Sequence, residues 1–251
     1  MAAKHFLTWG IHSVQVALTY AAEGALELWL KEGEISSDLA SIQSLANDAG
    51  VATQTVPLKT LERLTDGSVH QGVVLRRRMP SGLILEDYLA RVSSAKSRPL
   101  LLVLDQVQDP QNFGACLRVA DGAGADAVLV SRDHCAQITG TVAKAASGAL
   151  DSVPIIAVGN LARALEQLRA AGLWLAGTVQ DVPATIYDCD FNLPLAVVLG
   201  SEANGLRRLT REKCDHLVRI PMAGRLSSLN VATATAITLF EVNRQRLRVA
   251  G

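Results

Sequence analysis

Leu100-Leu101-Leu102-Val103-Leu104-Asp105-Gln106-Val107-Gln108-Asp109-Pro110-Gln111-Asn112-Phe113-Gly114-Ala115-Cys116-Leu117-Arg118 is the stretch that decides the fold. Five consecutive aliphatic residues at 100–104 leave no polar face, as a strand covered on both sides of a sheet requires. A polar loop follows, and Asn112 stands where it could cap a helix over 112–122. Strand, loop and helix in that order make a β-α unit, and open α/β sheets bind ligands where such strands end.

The same rhythm continues outward. Residues 127–130, 154–158, 173–177 and 195–199 read as further buried strands, with helices over 140–148 and 161–171. A long helix over 228–248, capped by Ser227 or Ser228, closes the sequence. This alternation predicts an α/β domain over 99–251 with a mostly parallel sheet. Upstream, helices at 11–22, 37–47 and 58–64 alternate with strands at 26–30, 53–56 and 73–75. Residues 1–78 therefore read as a second, small α/β domain. Between them, 79–98 reads as a linker: Met79-Pro80-Ser81-Gly82 is turn chemistry. A short amphipathic helix over 85–92 follows, and then polar residues up to Pro99. A length of 251 residues suits two modest domains.

Composition narrows the class. Hydrophobic residues make up 49% and charged residues 19%, enough for a sizeable core. No apolar run is long enough to span a bilayer. No signal-peptide stretch follows Met1, so a cytoplasmic protein without membrane contact is expected. Cys116, Cys135, Cys189 and Cys214 are scattered without a C-x-x-C pair, which predicts free buried thiols and no metal site. The net charge is zero, yet residues 200–251 carry nine Lys/Arg against four Asp/Glu. Such a basic end fits either a polyanion footprint or a solvated helix face. Gly122 and Gly124 follow a helix rather than a strand, the wrong order for a dinucleotide loop.

Three loops carry polar residues suited to chemistry. In the first, Arg118 lies six residues past Asn112, close to two helical turns, and could reach an anion near the helix start. The second, Leu199-Gly200-Ser201-Glu202-Ala203-Asn204-Gly205-Leu206, sets a carboxylate at the mouth of the sheet. Gly200 there would let a ligand approach the backbone. The third, Ile220-Pro221-Met222-Ala223-Gly224-Arg225-Leu226-Ser227-Ser228-Leu229-Asn230-Val231, runs into the terminal helix.

Together these loops resemble the three motifs of the SpoU family of RNA 2′-O-ribose methyltransferases: N-x-G-A-x-x-R at 112–118, G-x-E-x-x-G at 200–205 and I-P-M…S-S-L-N-V at 220–231. Gly10-Ile11-His12-Ser13-Val14 and His70-Gln71-Gly72-Val73 resemble that family's substrate-binding domain, so the likeness spans nearly the whole chain. It implies a SPOUT-type C-terminal domain with a deep trefoil knot, which chain-path rules alone would not suggest. It further implies an N-terminal domain similar to ribosomal protein L30e, and a homodimer with its active site near the subunit interface. The implied cofactor is S-adenosyl-L-methionine, with no metal. The implied acceptor is a guanosine ribose of 23S ribosomal RNA. The alternatives are tRNA methylation, or a non-catalytic RNA-binding role in ribosome assembly. By the same resemblance Arg118 meets the target phosphate, while Asn112, Glu202, Ser228 and Asn230 shape the catalytic site. Gly200, Ile220, Met222 and Leu229 would line the cofactor pocket. Asn204, where relatives more often have Glu or a small residue, and Ala232-Thr233-Ala234, in place of Ser-Val-Ala, depart from the pattern.

Overall fold

The computed structural model describes residues 5–34, 36–80, 82–94, 98–202 and 204–249. Met1 to Lys4, Ser81 of the expected turn, Ala95, Lys96 and Ser97 of the expected linker, and Ala203 of the second loop lie outside them. Contacts divide the chain into two compact units: Met1–Ser81 with Gln137–Ser152, and Gly82–Ala136 with Val153–Gly251.

The first unit is built from β1 (His5–Trp9), α1 (Ile11–Tyr20), β2 (Ala25–Lys31), α2 (Ser37–Asp48), β3 (Ala52–Val56), α3 (Leu58–Leu64) and β4 (Val73–Arg78). The strands form one sheet in the order β1-β4-β2-β3. Only β2 and β3 run parallel; β4 is antiparallel to both its neighbours. Val14, Leu18, Leu39 and Ile42 from α1 and α2 bury against Leu28, Leu30, Val73 and Leu75. Ser36 caps α2, accepting from the Leu39 N–H. The two segments that carried the N-terminal likeness meet: Gln71 Oε1 accepts from the Ile11 N–H at 3.0 Å, at the start of α1.

The second unit begins with α4 (Leu85–Ser94), β5 (Leu100–Asp105), α5 (Pro110–Gly122) and β6 (Ala127–Ser131). The chain then returns to the first unit for α6 (Gly140–Ala146) and α7 (Ala149–Ser152). It continues through β7 (Ile155–Val158), α8 (Leu161–Ala170), β8 (Trp174–Thr178), β9 (Leu195–Gly200), α9 (Arg208–Lys213), β10 (His216–Val218) and α10 (Val231–Val249). All six strands are parallel, in the order β10-β8-β9-β5-β6-β7. Every residue of β5 and β6 is buried, as their unbroken apolar runs require. No helix among the described residues is long and apolar enough to cross a membrane.

Several boundaries differ from the sequence reading, each for a physical reason. The helix in 79–98 is not part of a free linker: Leu85 and Tyr88 are buried in the core of the second unit with Leu165 and Leu168. The 140–152 crossover joins the first unit because α6 packs on β1 so closely that a Cβ on Gly140 would lie 1.7 Å from the Trp9 ring. α5 starts at Pro110, capped by the Asp109 side chain, so Asn112 lies inside the first turn rather than at the cap. α10 starts at Val231, not at Ser228. Asn230 caps it, its Oδ1 accepting from the Ala232 N–H at 2.8 Å and its carbonyl from Ala234. β1, β10 and α9 were not anticipated at all.

Candidate active site

β5 and β9 are neighbours, with Asp105 paired to Gly200 at their C-terminal ends. From β5 the chain fills the sheet on one side with β6 and β7, and later on the other with β8, β9 and β10. The strand order reverses between β5 and β9, and the loops leaving these two strands diverge. That switch point is where open parallel sheets bind ligands.

Three of the sequence-selected residues meet there. Asn112 Nδ2 donates to Glu202 Oε1 at 3.0 Å. Asn230 Nδ2 donates to the same oxygen at 2.6 Å and to Asn112 Oδ1 at 2.8 Å. The Val231 N–H adds a third donor to Glu202 Oε1 at 3.3 Å. Hydrogen bonds to a carboxylate are stronger than neutral ones. The carboxylate also stands at the N-terminus of α10, where the helix dipole favours negative charge. The result is a fixed hub joining three loops distant in sequence.

Two clefts open beside the hub. The larger, about 740 Å³, is lined by residues following β8, β9 and β10. The smaller, about 340 Å³, is lined by residues 106–109 and Asn112 on one side. Ser201, Glu202, Asn204 and Val231 line both, so the two clefts adjoin there. Gly200, Ile220, Met222, Ser228 and Leu229 line the larger cleft. Asn230 holds the hub without lining either. Arg118 is exposed on α5 and lines neither cleft.

Besides lining the larger cleft, Gly200 makes room for the chain's own turn: a Cβ there would come within 2.0 Å of the Gly205 carbonyl carbon. That turn is closed by the Gly205 N–H donating to the Ser201 carbonyl at 2.8 Å.

The sequence reading missed other residues of this region. Asp105 is fully buried and accepts from Arg207, from Nε at 2.6 Å and from the backbone N–H at 3.0 Å. This pair staples the exit of the second loop to the end of β5. Asp181 and Arg211 line the larger cleft as an ion pair at 2.9 Å. Gln106 lines the smaller cleft with φ at 65°, a left-handed conformation that costs a non-glycine residue roughly 1–2 kcal/mol. Strain of this kind collects at functional sites, and nothing in the sequence marks it.

The basic end resolves mostly into internal pairing. Arg207, Arg208, Arg211, Lys213 and Arg244 each pair with a carboxylate. Arg246 donates to the carbonyls of Arg98, Pro99 and Leu193. The four cysteines are free, but only Cys116 is fully buried. Burial pushes its thiol up to about 11, so it stays protonated at neutral pH and is no nucleophile.

Comparisons with known proteins agree on one family. The SpoU rRNA Methylase family matches residues 99–240, and the RNA 2′-O ribose methyltransferase substrate-binding family matches 7–82. The chain is 45% identical over 240 residues to a 23S rRNA (guanosine-2′-O-)-methyltransferase RlmB of Haemophilus influenzae, covering 95% of this chain and 97% of that protein. It is 43% identical to the Escherichia coli K12 protein of the same name, covering 96% and 98%. Among solved structures, the SpoU methyltransferase AviRb of Streptomyces viridochromogenes in complex with AdoMet superposes with a TM-score of 0.80 at 28% identity, covering 97% of this chain and 91% of that one.

Proposed function

The chain belongs to the SpoU rRNA methylase family, and from that premise we propose that it transfers a methyl group from S-adenosylmethionine to the ribose 2′-hydroxyl of a guanosine in 23S ribosomal RNA. The observation that carries this reading is the Asn112–Glu202–Asn230 hub, whose Glu202 lines both of two adjoining clefts.

The larger cleft suits the methyl donor. Its volume falls within the range of small-molecule sites. Ile220, Met222 and Leu229 offer apolar cover for an adenine, and Asp181 and Arg211 offer both charge signs for the amino and carboxylate ends of the methionine part. Bound there, S-adenosylmethionine supplies a methyl group already activated on a sulfonium. The chain's own residues do the rest. The smaller cleft, which shares Ser201, Glu202, Asn204 and Val231 with the larger, takes the acceptor ribose next to the donor, so that its 2′-oxygen can face the methyl group; positioning alone supplies a large part of such a rate. Asn112, which lines the smaller cleft and is held by Glu202 and Asn230, orients the ribose; Asn230 acts through the hub, and Ser228 lines the donor side. Arg118 clamps the target phosphate and steadies the developing alkoxide. The hydroxyl proton passes to solvent rather than to Arg118, because a guanidinium stays protonated.

A trefoil knot in the second unit belongs to the same reading, supported by the contact of the C-terminal segment at Asn230 with the loops after both β5 and β9. So does a homodimer through α10, supported by Phe240 at 51% and Leu247 at 75% exposure on that helix. Sedimentation at micromolar concentration should read a dimer; a fully active monomer overturns that. An rRNA substrate supports a cytoplasmic location.

The test of the function is mass mapping of 23S rRNA and tRNA from a deletion strain. One 2′-O-methylguanosine should vanish from 23S rRNA, and the purified protein should restore it in the presence of a metal chelator. A mark lost from tRNA instead would keep the chemistry and change the acceptor. No lost mark would leave a non-catalytic RNA binder. Restoration that requires a divalent ion would refute the metal-free site.

A further inference from the structure

We propose that Gln106 hydrogen-bonds the acceptor nucleotide and helps set which nucleotide enters the smaller cleft, an inference that rests on the methyl-transfer reading above. Gln106 follows the last residue of β5 and is half-buried in the lining of that cleft. Its backbone is held from both sides. Asp105 is fixed in register with Gly200, and the Val107 carbonyl accepts from the Ala136 N–H at 2.9 Å. Between these anchors the chain turns through φ 65°, where glycine would fit without steric cost. A long polar side chain stands there instead. Among the described residues its amide has no hydrogen-bond partner.

A strained position held by rigid neighbours, with an unengaged amide on the acceptor side of the hub, fits a group that waits for substrate. An amide presents one acceptor and two donors. Unstacked RNA bases and ribose hydroxyls offer the complementary set, and sequence-specific RNA recognition uses those edges.

The experiment compares wild type with Gln106→Gly and Gln106→Asn. Glycine removes the amide and relieves the backbone. Asparagine tolerates the left-handed conformation and keeps a shorter amide. The glycine variant should melt no lower than wild type and bind S-adenosylmethionine equally well. Its kcat/KM for the rRNA substrate should fall about tenfold, the worth of one hydrogen bond. Asparagine should recover part of that loss. A glycine variant with wild-type kcat/KM would mean the side chain is merely tolerated at a strained position. One that loses cofactor affinity would place Gln106 on the donor side. Both results overturn the proposal. Wild-type protein that binds no S-adenosylmethionine or methylates no RNA would overturn the functional reading first, before any variant is compared.

Discussion

Arg118→Ala is expected to slow single-turnover methylation by about a hundred- to a thousand-fold, the usual loss when one preorganised charge-stabilising group is removed. Melting temperature should hardly move, because Arg118 is exposed on α5 and exposed substitutions change stability by about 0.5 kcal/mol or less. Cofactor affinity should also hold, since Arg118 does not line the larger cleft. Arg118→Lys should rescue little, as an ammonium cannot reproduce the planar fork that grips a phosphate. Three readouts on one variant separate the roles. Near-wild-type turnover in a folded protein would remove Arg118 from the mechanism. Lost cofactor affinity would mean that it serves the donor instead.

Asp151→Ala should destabilise the first unit by about 3–5 kcal/mol, the usual cost of leaving a buried charge without its partner. Arg77 and Asp151 have side chains only 4% and 5% exposed. Arg77 Nη1 donates to Asp151 Oδ2 at 3.0 Å, Nη2 donates to Oδ1, and the guanidinium lies 5.4 Å from the centre of the Phe6 ring. Removing the carboxylate leaves a desolvated cation beside an aromatic ring and frees α7 from β4. Arg77→Leu with Asp151→Leu should cost far less than either single change, because no charge is then left unpaired. Urea unfolding followed by tryptophan fluorescence reads this, since Trp9 and Trp29 both belong to the first unit. A single variant as stable as wild type would show that the pair carries no net stabilisation.

The parallel sheet was legible because its strands are saturated with Leu and Val and sit between helical stretches; burial on both faces leaves that trace in any sequence. β1 and β10 left no such trace. They are short, and their pairing with β4 and β8 is decided by residues far away. The start of α10 was misread because two serines precede Asn230 and any of the three could cap a helix; only the fold shows that Asn230 takes the role while also gripping Glu202. Asn112, Glu202 and Asn230 could each be selected from their own loop. That they share one carboxylate oxygen could not be read, because separations of 90 and 28 residues carry no geometric information. Gln106 stayed hidden for a simpler reason: glutamine is not a residue that announces a left-handed turn.

The discontinuous first unit has a consequence for the newborn chain. β1 and β4 leave the ribosome early, yet Asp151, the counter-ion that Arg77 needs, is made 74 residues later, and the helix that covers Trp9 comes with it. At a synthesis rate of about 5–20 residues per second, the wait is on the order of ten seconds. Through that interval an indole and a guanidinium destined for burial remain open to water and to chaperones. The N-terminal unit is begun first and can be finished only after Gln137–Ser152 has been translated.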